Sequence, residues 1–150
     1  MNERYHDKFL ISMESEIKLE RTKVSEEQFQ DLRKLLGSEK FVGFKVVSGS
    51  MEPVIKTGEM IVIEKSEVLK RFDIVVFRQN SLLICHFIKF INRTPDSNGD
   101  PVYVTSGMAN PVREDLPVPL GEILGTVVSH RLGRFFRFRF IVGKILSRRN

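Results

Sequence analysis

A chain of 150 residues, 41% hydrophobic and 29% charged, is long enough for one compact domain and too short for two ordinary ones. That balance excludes a disordered polymer, and the single cysteine, Cys85, excludes an internal disulfide. The net charge of +5 is unevenly placed: the last 20 residues hold 7 Lys and Arg and no acid, leaving 17 basic against 19 acidic residues in the first 130. A basic end on a slightly acidic body points to an anionic partner, either a phospholipid surface or nucleic acid.

Met1 to Val24 mixes charges with isolated apolar residues and offers no apolar stretch fit for a signal-peptide core. An amphipathic helix is predicted from about Glu26 to Leu36. Ser25 and Gln28 fit a capping box, Val24 and Phe29 fit the staple around it, and Gly37 is expected to stop it. Phe29, Leu32, Leu35 and Leu36 form its apolar face, which suits packing on the following sheet or on a partner.

From Phe41 the pattern changes to short runs of Val, Ile and Phe between turn residues. The predicted strands are Phe41 to Val47, Met60 to Ile63, Ile74 to Phe77, Leu82 to Ile91, Val102 to Val104 and Ile123 to Val128. Asn80-Ser81 reads as a hairpin turn and Arg93 to Asp100 as a longer polar loop. The expected fold is mainly β: an antiparallel coiled or barrel-like β domain over residues 41–130. It carries an N-terminal helical extension, 1–40, and a basic aromatic tail, 131–150. No zinc-ligand cluster is visible, and no metal or cofactor is expected.

Two places in this β region could carry chemistry. Ser48-Gly49-Ser50-Met51-Glu52-Pro53 follows the first strand as a small-residue bend. Gly49 there is expected to take an unusual φ or a close approach, and Pro53 to prevent the strand from continuing. Such a bend exposes a serine hydroxyl, as a nucleophile needs, but it equally describes a polar turn between strands. His86 lies within an apolar strand, and alternation puts it on the face of Leu82, Ile84, Ile88 and Phe90, with Cys85 and Lys89 opposite. A hydrogen-bonded core histidine and a neutral general base both fit that position.

Taken together, Val47 to Glu59, Thr57 to Lys65, Phe72 to Phe77, and Tyr103 to Asn110 with Pro117-Val118-Pro119 and Ile123 to Val127 resemble, in the same order, the segments of type I signal peptidases. These belong to the LexA-like serine peptidase superfamily, and the resemblance covers about residues 41 to 128. Bacterial members place a lysine base where this chain has Cys85-His86-Phe87-Ile88. The chain resembles instead the archaeal and endoplasmic-reticulum branch, which uses histidine. The resemblance implies Ser50 as nucleophile, His86 as general base and acid, and the Ser48 hydroxyl with the Ser50 N–H as oxyanion donors. Met51, Leu83 and Ile84 are the expected substrate contacts. The sequence departs from the family in having Met108 where an acid is expected after Gly107. Glu114 and Asp115 are left to orient the histidine, the shorter Asp115 being preferred.

A second departure is that Met1 to Lys40 contains no membrane-spanning run. Arg131 to Asn150 interleaves phenylalanines and aliphatic residues with basic ones, and its longest apolar run, Phe140 to Val142, cannot cross a bilayer. Lying on an anionic membrane surface and packing into the core are both open readings of this tail. The expected function is a serine endopeptidase that binds an extended peptide as an added strand and cuts after a small residue, inside the cell and at the membrane surface. The alternatives are a LexA-type self-cleaving regulator and an inactive peptide-binding module. Against the regulator stand the lack of a helix-turn-helix, of an Ala-Gly or Cys-Gly site, and of a lysine base; nucleic acid is not an expected partner.

Overall fold

A computed structural model describes residues 23–92 and 99–138. The readings made on residues 1–22, on 93–98 of the polar loop and on 139–150 lie outside them. The described order is α1 (Glu26–Ser38), β1 (Val42–Lys45), β2 (Met60–Glu64), β3 (Ile74–Gln79), β4 (Leu82–Asn92), β5 (Val102–Ser106), β6 (Val118–Pro119) and β7 (Ile123–Val127). A 3-10 turn, Leu120–Glu122, leads into β7.

Helix α1 begins as its sequence predicts. Ser25 Oγ accepts the Gln28 N–H and the Gln28 side chain accepts the Ser25 N–H. Val24 and Phe29 are both buried around that cap. The end of the helix differs: Gly37 lies inside it, and the chain leaves after Ser38 through an extended Glu39 whose N–H reaches Leu35 O. Of the expected face, Phe29 and Leu36 are core and Leu32 packs against it, while Leu35 is 38% exposed.

The strands form one antiparallel sheet of 7, ordered β1-β2-β7-β3-β4-β5-β6. The antiparallel β architecture matches expectation. The sheet is open, however, because among the described residues no pairing joins β1 to β6. Asn80 and Ser81 turn β3 into β4 with φ of 51° and 63°, the pair of positive values that a two-residue hairpin of the proper twist requires.

The central strand β3 shows why the sheet is covered on both faces. Ile74 and Val76 join the main core with α1, β1 and β2, whereas Val75 and Phe77 join a second cluster with Ile88, Tyr103 and Val118. Burying both faces makes Ile74 to Phe77 an unbroken apolar run rather than an alternating one. Alternation on β4 holds from Leu82 to Ile88, with Leu83, Cys85 and Phe87 in the main core. A bulge between Ile88 and Phe90 then shifts the pattern, so that Ile91 rather than Phe90 packs with Ile88 on the second face. Among the described residues no helix is long and apolar enough to cross a membrane.

Candidate active site

β1 and β2 are a hairpin whose connection carries the serine bend. Their ladder continues past the named strands, Val46 N–H donating to Glu59 O and Gly58 N–H to Val46 O. Residues 47–57 thus leave and rejoin the sheet at one place. Within the excursion Met51 and Ile55 are 1% and 0% exposed and plug the loop into the core. Glu52 N–H donates to Gly49 O, and Glu52 Oε1 accepts both the N–H and the hydroxyl of Thr57. The result is a bend held at both ends with Ser50 at its turn. Gly49 is not the conformational hinge expected of it: its φ is not positive, and an added Cβ would make only ordinary contact with Glu52.

The close approach occurs instead at Gly107, just beyond β5. A Cβ there would lie 2.6 Å from Ser50 O and 3.1 Å from His86 Nε2. Less than one methyl group of space therefore separates the Gly107 backbone from the serine segment and from the imidazole. Ala109 N–H donates to Ser50 O at 3.0 Å, tying the two loops together. Met108, which stands where the family resemblance leads one to expect an acid, is 6% exposed and belongs to the main core.

His86 faces the second cluster, edge-on to Phe77 with ring centroids 6.2 Å apart. Its Nδ1 is 2.6 Å from Asp115 Oδ2. The Thr105 hydroxyl donates to the same oxygen at 2.6 Å, and the Asp115 N–H donates to Thr105 O. Burial acts to raise the Asp115 carboxyl, but the hydrogen bonds from His86 and Thr105 outweigh it and hold the group below the usual carboxylate range. An ionised carboxylate can only accept, so Nδ1 carries the proton of that bond, and in a neutral ring the lone pair falls on Nε2. That is the nitrogen on the Gly107 and Ser50 side. Ser48 Oγ lies 3.2 Å from Ser50 Oγ, and the Ser50 N–H points toward Ser48 Oγ at 3.5 Å.

Ser50, His86 and Asp115 line one cleft of about 390 Å³, with Leu82, Ile84, Ala109 and Arg113 among its other walls. A larger hollow of about 500 Å³, beside Arg78, Glu26 and Glu122, shares no lining residue with it and holds no nucleophile–base pair. Of the expected substrate contacts only Ile84 lines the cleft. Met51 and Leu83, 1% and 0% exposed, are core side chains and are corrected on that ground. Glu114 is likewise set apart from the imidazole, since it accepts from Lys89 Nζ at 2.8 Å. Sequence reasoning gave no role to Thr105, Ser106 or Arg113. Thr105 and Ser106 are polar yet 0% exposed, and Ser106 Oγ donates to Arg113 O, so both hydroxyls pin the loop that delivers Asp115. Two hydroxyl residues ending an apolar strand were the available signal.

Among curated proteins none matches the chain. A family model described as Peptidase S24-like matches residues 10–128, which takes in α1, the seven described strands and every residue of the cleft. A match over most of the chain, on an antiparallel sheet that brings a serine bend and a carboxylate-held histidine to one cleft, places this protein in the Peptidase S24-like family.

Proposed function

We propose that this chain is a serine endopeptidase in which Ser50 is the nucleophile, His86 the general base and then acid, and Asp115 the group that orients the imidazole. The observation that carries the reading is the 2.6 Å contact of Asp115 with His86 Nδ1, in a cleft that Ser50 also lines. Ser50 Oγ attacks the scissile carbonyl and its proton passes to His86 Nε2. The carbonyl oxygen, now negative, is met by the Ser48 hydroxyl and the Ser50 N–H. As the tetrahedral species collapses, the amine leaves with the proton from His86 and an ester to Ser50 remains. Water, deprotonated by His86, then releases the acid and restores the serine.

The substrate is an extended segment. β5 pairs with β4 from Phe87 onward and Lys23 bridges to it at Leu82, which leaves the edge between them, at Ile84 on the cleft wall, for an added strand. A small residue before the cut, and kinship with the histidine-using signal peptidases, follow from the resemblance of the motifs. The test is a mixed peptide library incubated with the protein and with Ser50→Ala, new termini being read by mass spectrometry. Cleavage by the unaltered chain, slowed roughly 10³-fold or more in the variant, is the expected result; equal profiles refute the reading.

One observation favours a second reading, in which the chain cuts itself. Lys23 bridges to Leu82 in antiparallel fashion and Val24 N–H donates to Ser81 O at 2.7 Å, so the chain's own leading segment arrives at the cleft wall. Self-cleavage would appear as a new terminus in that segment, at a rate independent of protein concentration and absent in Ser50→Ala.

A further inference from the structure

The last described residues turn two aromatic rings away from the protein. Leu132 is 3% exposed and in the main core, and Phe136 packs against that core. Phe136 lies within a helical stretch, 134–138, and Leu132 just before it, so that both ends of the turn into this stretch are anchored to the core. Phe135 and Phe138, three apart, are 70% and 63% exposed. Arg131 and Arg134 are exposed beside them, while Arg137 is spent on the turn, its Nε donating to Leu132 O. An aromatic pair held outward by two anchors behind it costs contact with water that folding ordinarily avoids.

We propose that this face docks on an anionic lipid bilayer, Phe135 and Phe138 entering the boundary between headgroups and acyl chains while Arg131 and Arg134 meet lipid phosphates. Charge decides the first half of that choice: residues 131–150 contain 7 basic side chains and no acid, so the partner is an anion. The apolar content decides the second. A single-stranded nucleic acid would satisfy arginines and stack on phenylalanines, but the composition of residues 131–150, aliphatic as well as aromatic and basic, is that of a bilayer-interface segment rather than of a stacking platform. The longest apolar run in the segment, Phe140 to Val142, is too short to cross a bilayer.

The test is co-sedimentation of the full chain with phosphatidylcholine vesicles made with and without phosphatidylserine. Binding that needs phosphatidylserine and weakens at high salt is expected. Phe135→Ser with Phe138→Ser should weaken it by about tenfold or more, and Arg131→Gln with Arg134→Gln should reduce its dependence on phosphatidylserine. Circular dichroism and melting of the variants check that the fold survives, since none of the four side chains is a core residue. The Ser50→Ala chain should bind as the unaltered one does, which separates this proposal from the peptidase reading. Binding to an oligothymidine but not to vesicles, no binding to either, or vesicle binding unchanged by loss of both phenylalanines would each overturn it.

Discussion

Two side chains of the central hairpin, Arg78 on β3 and His86 on β4, are each 13% exposed, each held by carboxylate, and each set against a phenylalanine. Arg78 donates from Nε to Glu122 Oε2 at 2.9 Å and from one terminal nitrogen to Glu122 Oε1 at 3.2 Å. The same nitrogen reaches Glu26 at the start of α1, and the guanidinium lies 4.7 Å from the Phe29 ring. Hydrogen bonds from Glu122 and then Glu26 push the Arg78 pKa still higher, so its proton never leaves. His86 has Asp115 on one nitrogen and the Ser50 side of Gly107 on the other. The same ingredients make a fixed clamp between helix and sheet in one case and, under the proposed function, the proton carrier in the other. What differs is the side chain itself: a guanidinium offers only donors, whereas an imidazole carries two nitrogens of which one can accept.

The sharpest break of that contrast is Asp115→Asn. An amide that presents its NH₂ to Nδ1 moves the ring proton to Nε2 and removes the lone pair facing the serine. The turnover number is expected to fall roughly 10³- to 10⁴-fold with KM little changed, measured by steady-state kinetics on a cleaved peptide. The same variant has a pH signature. Asp115 is held below the usual carboxylate range, so its contribution to stability is complete above that range and is lost as pH falls through the lowered value. The melting-temperature gap between the protein and Asp115→Asn should therefore be widest at neutral pH and close in acid; a gap that widens in acid would refute the assignment.

Gly107→Ala attacks the other nitrogen. Its methyl would sit 2.6 Å from Ser50 O, a backbone atom, so the serine loop or the β5 end must shift. A displacement of that kind predicts roughly 10²-fold loss of kcat/KM, with about 1–3 kcal/mol of destabilisation by denaturant titration. Activity close to that of the unaltered chain would mean that the serine and imidazole tolerate being pushed apart.

These variants also mark where the sequence could be read and where it could not. The capping box, the Asn80-Ser81 turn and the alternation that put His86 opposite Cys85 are local, set by residues at most a few positions apart. The choice between Glu114 and Asp115 is not local. It depends on the β4 bulge, which leaves Lys89 where it can hold Glu114, and a one-residue bulge does not interrupt an apolar run. Met51 and Leu83 misled for a related reason: sequence proximity to Ser50 and His86 is not spatial proximity, and Leu83 shares the buried face of Cys85. Gly107 could be recognised as a spacer only once the β1–β2 connection and the β5 end were seen to meet. The insertion of β7 between β2 and β3 joins strands far apart in the chain, which no turn signal announces.

On the clamp side the expected effects are on stability and not on chemistry. Arg78→Met keeps much of the packing over Phe29 but strips Glu122 of both its hydrogen bonds, and a melting temperature lower by roughly 5 °C is expected, with kcat per folded molecule unchanged. If kcat fell as well, the two centres would be coupled through the β3–β4 hairpin and the contrast between them would fail.

Ser25→Ala carries the same logic one step further from the cleft. It removes the oxygen that accepts the Gln28 N–H, leaves Val24 and Phe29 in place, and costs about 1 kcal/mol by denaturant titration. Because Phe29 and Leu36 still anchor α1 in the main core, the loss should show as fraying, with faster amide exchange in the first helical turn. Peptide cleavage should be unaffected under the first functional reading. Under the self-cleaving one, looser hold on Val24 and Lys23 would change the rate at which the leading segment reaches the cleft, so this smallest of the variants separates the two readings by a kinetic effect that its stability cost alone would not produce.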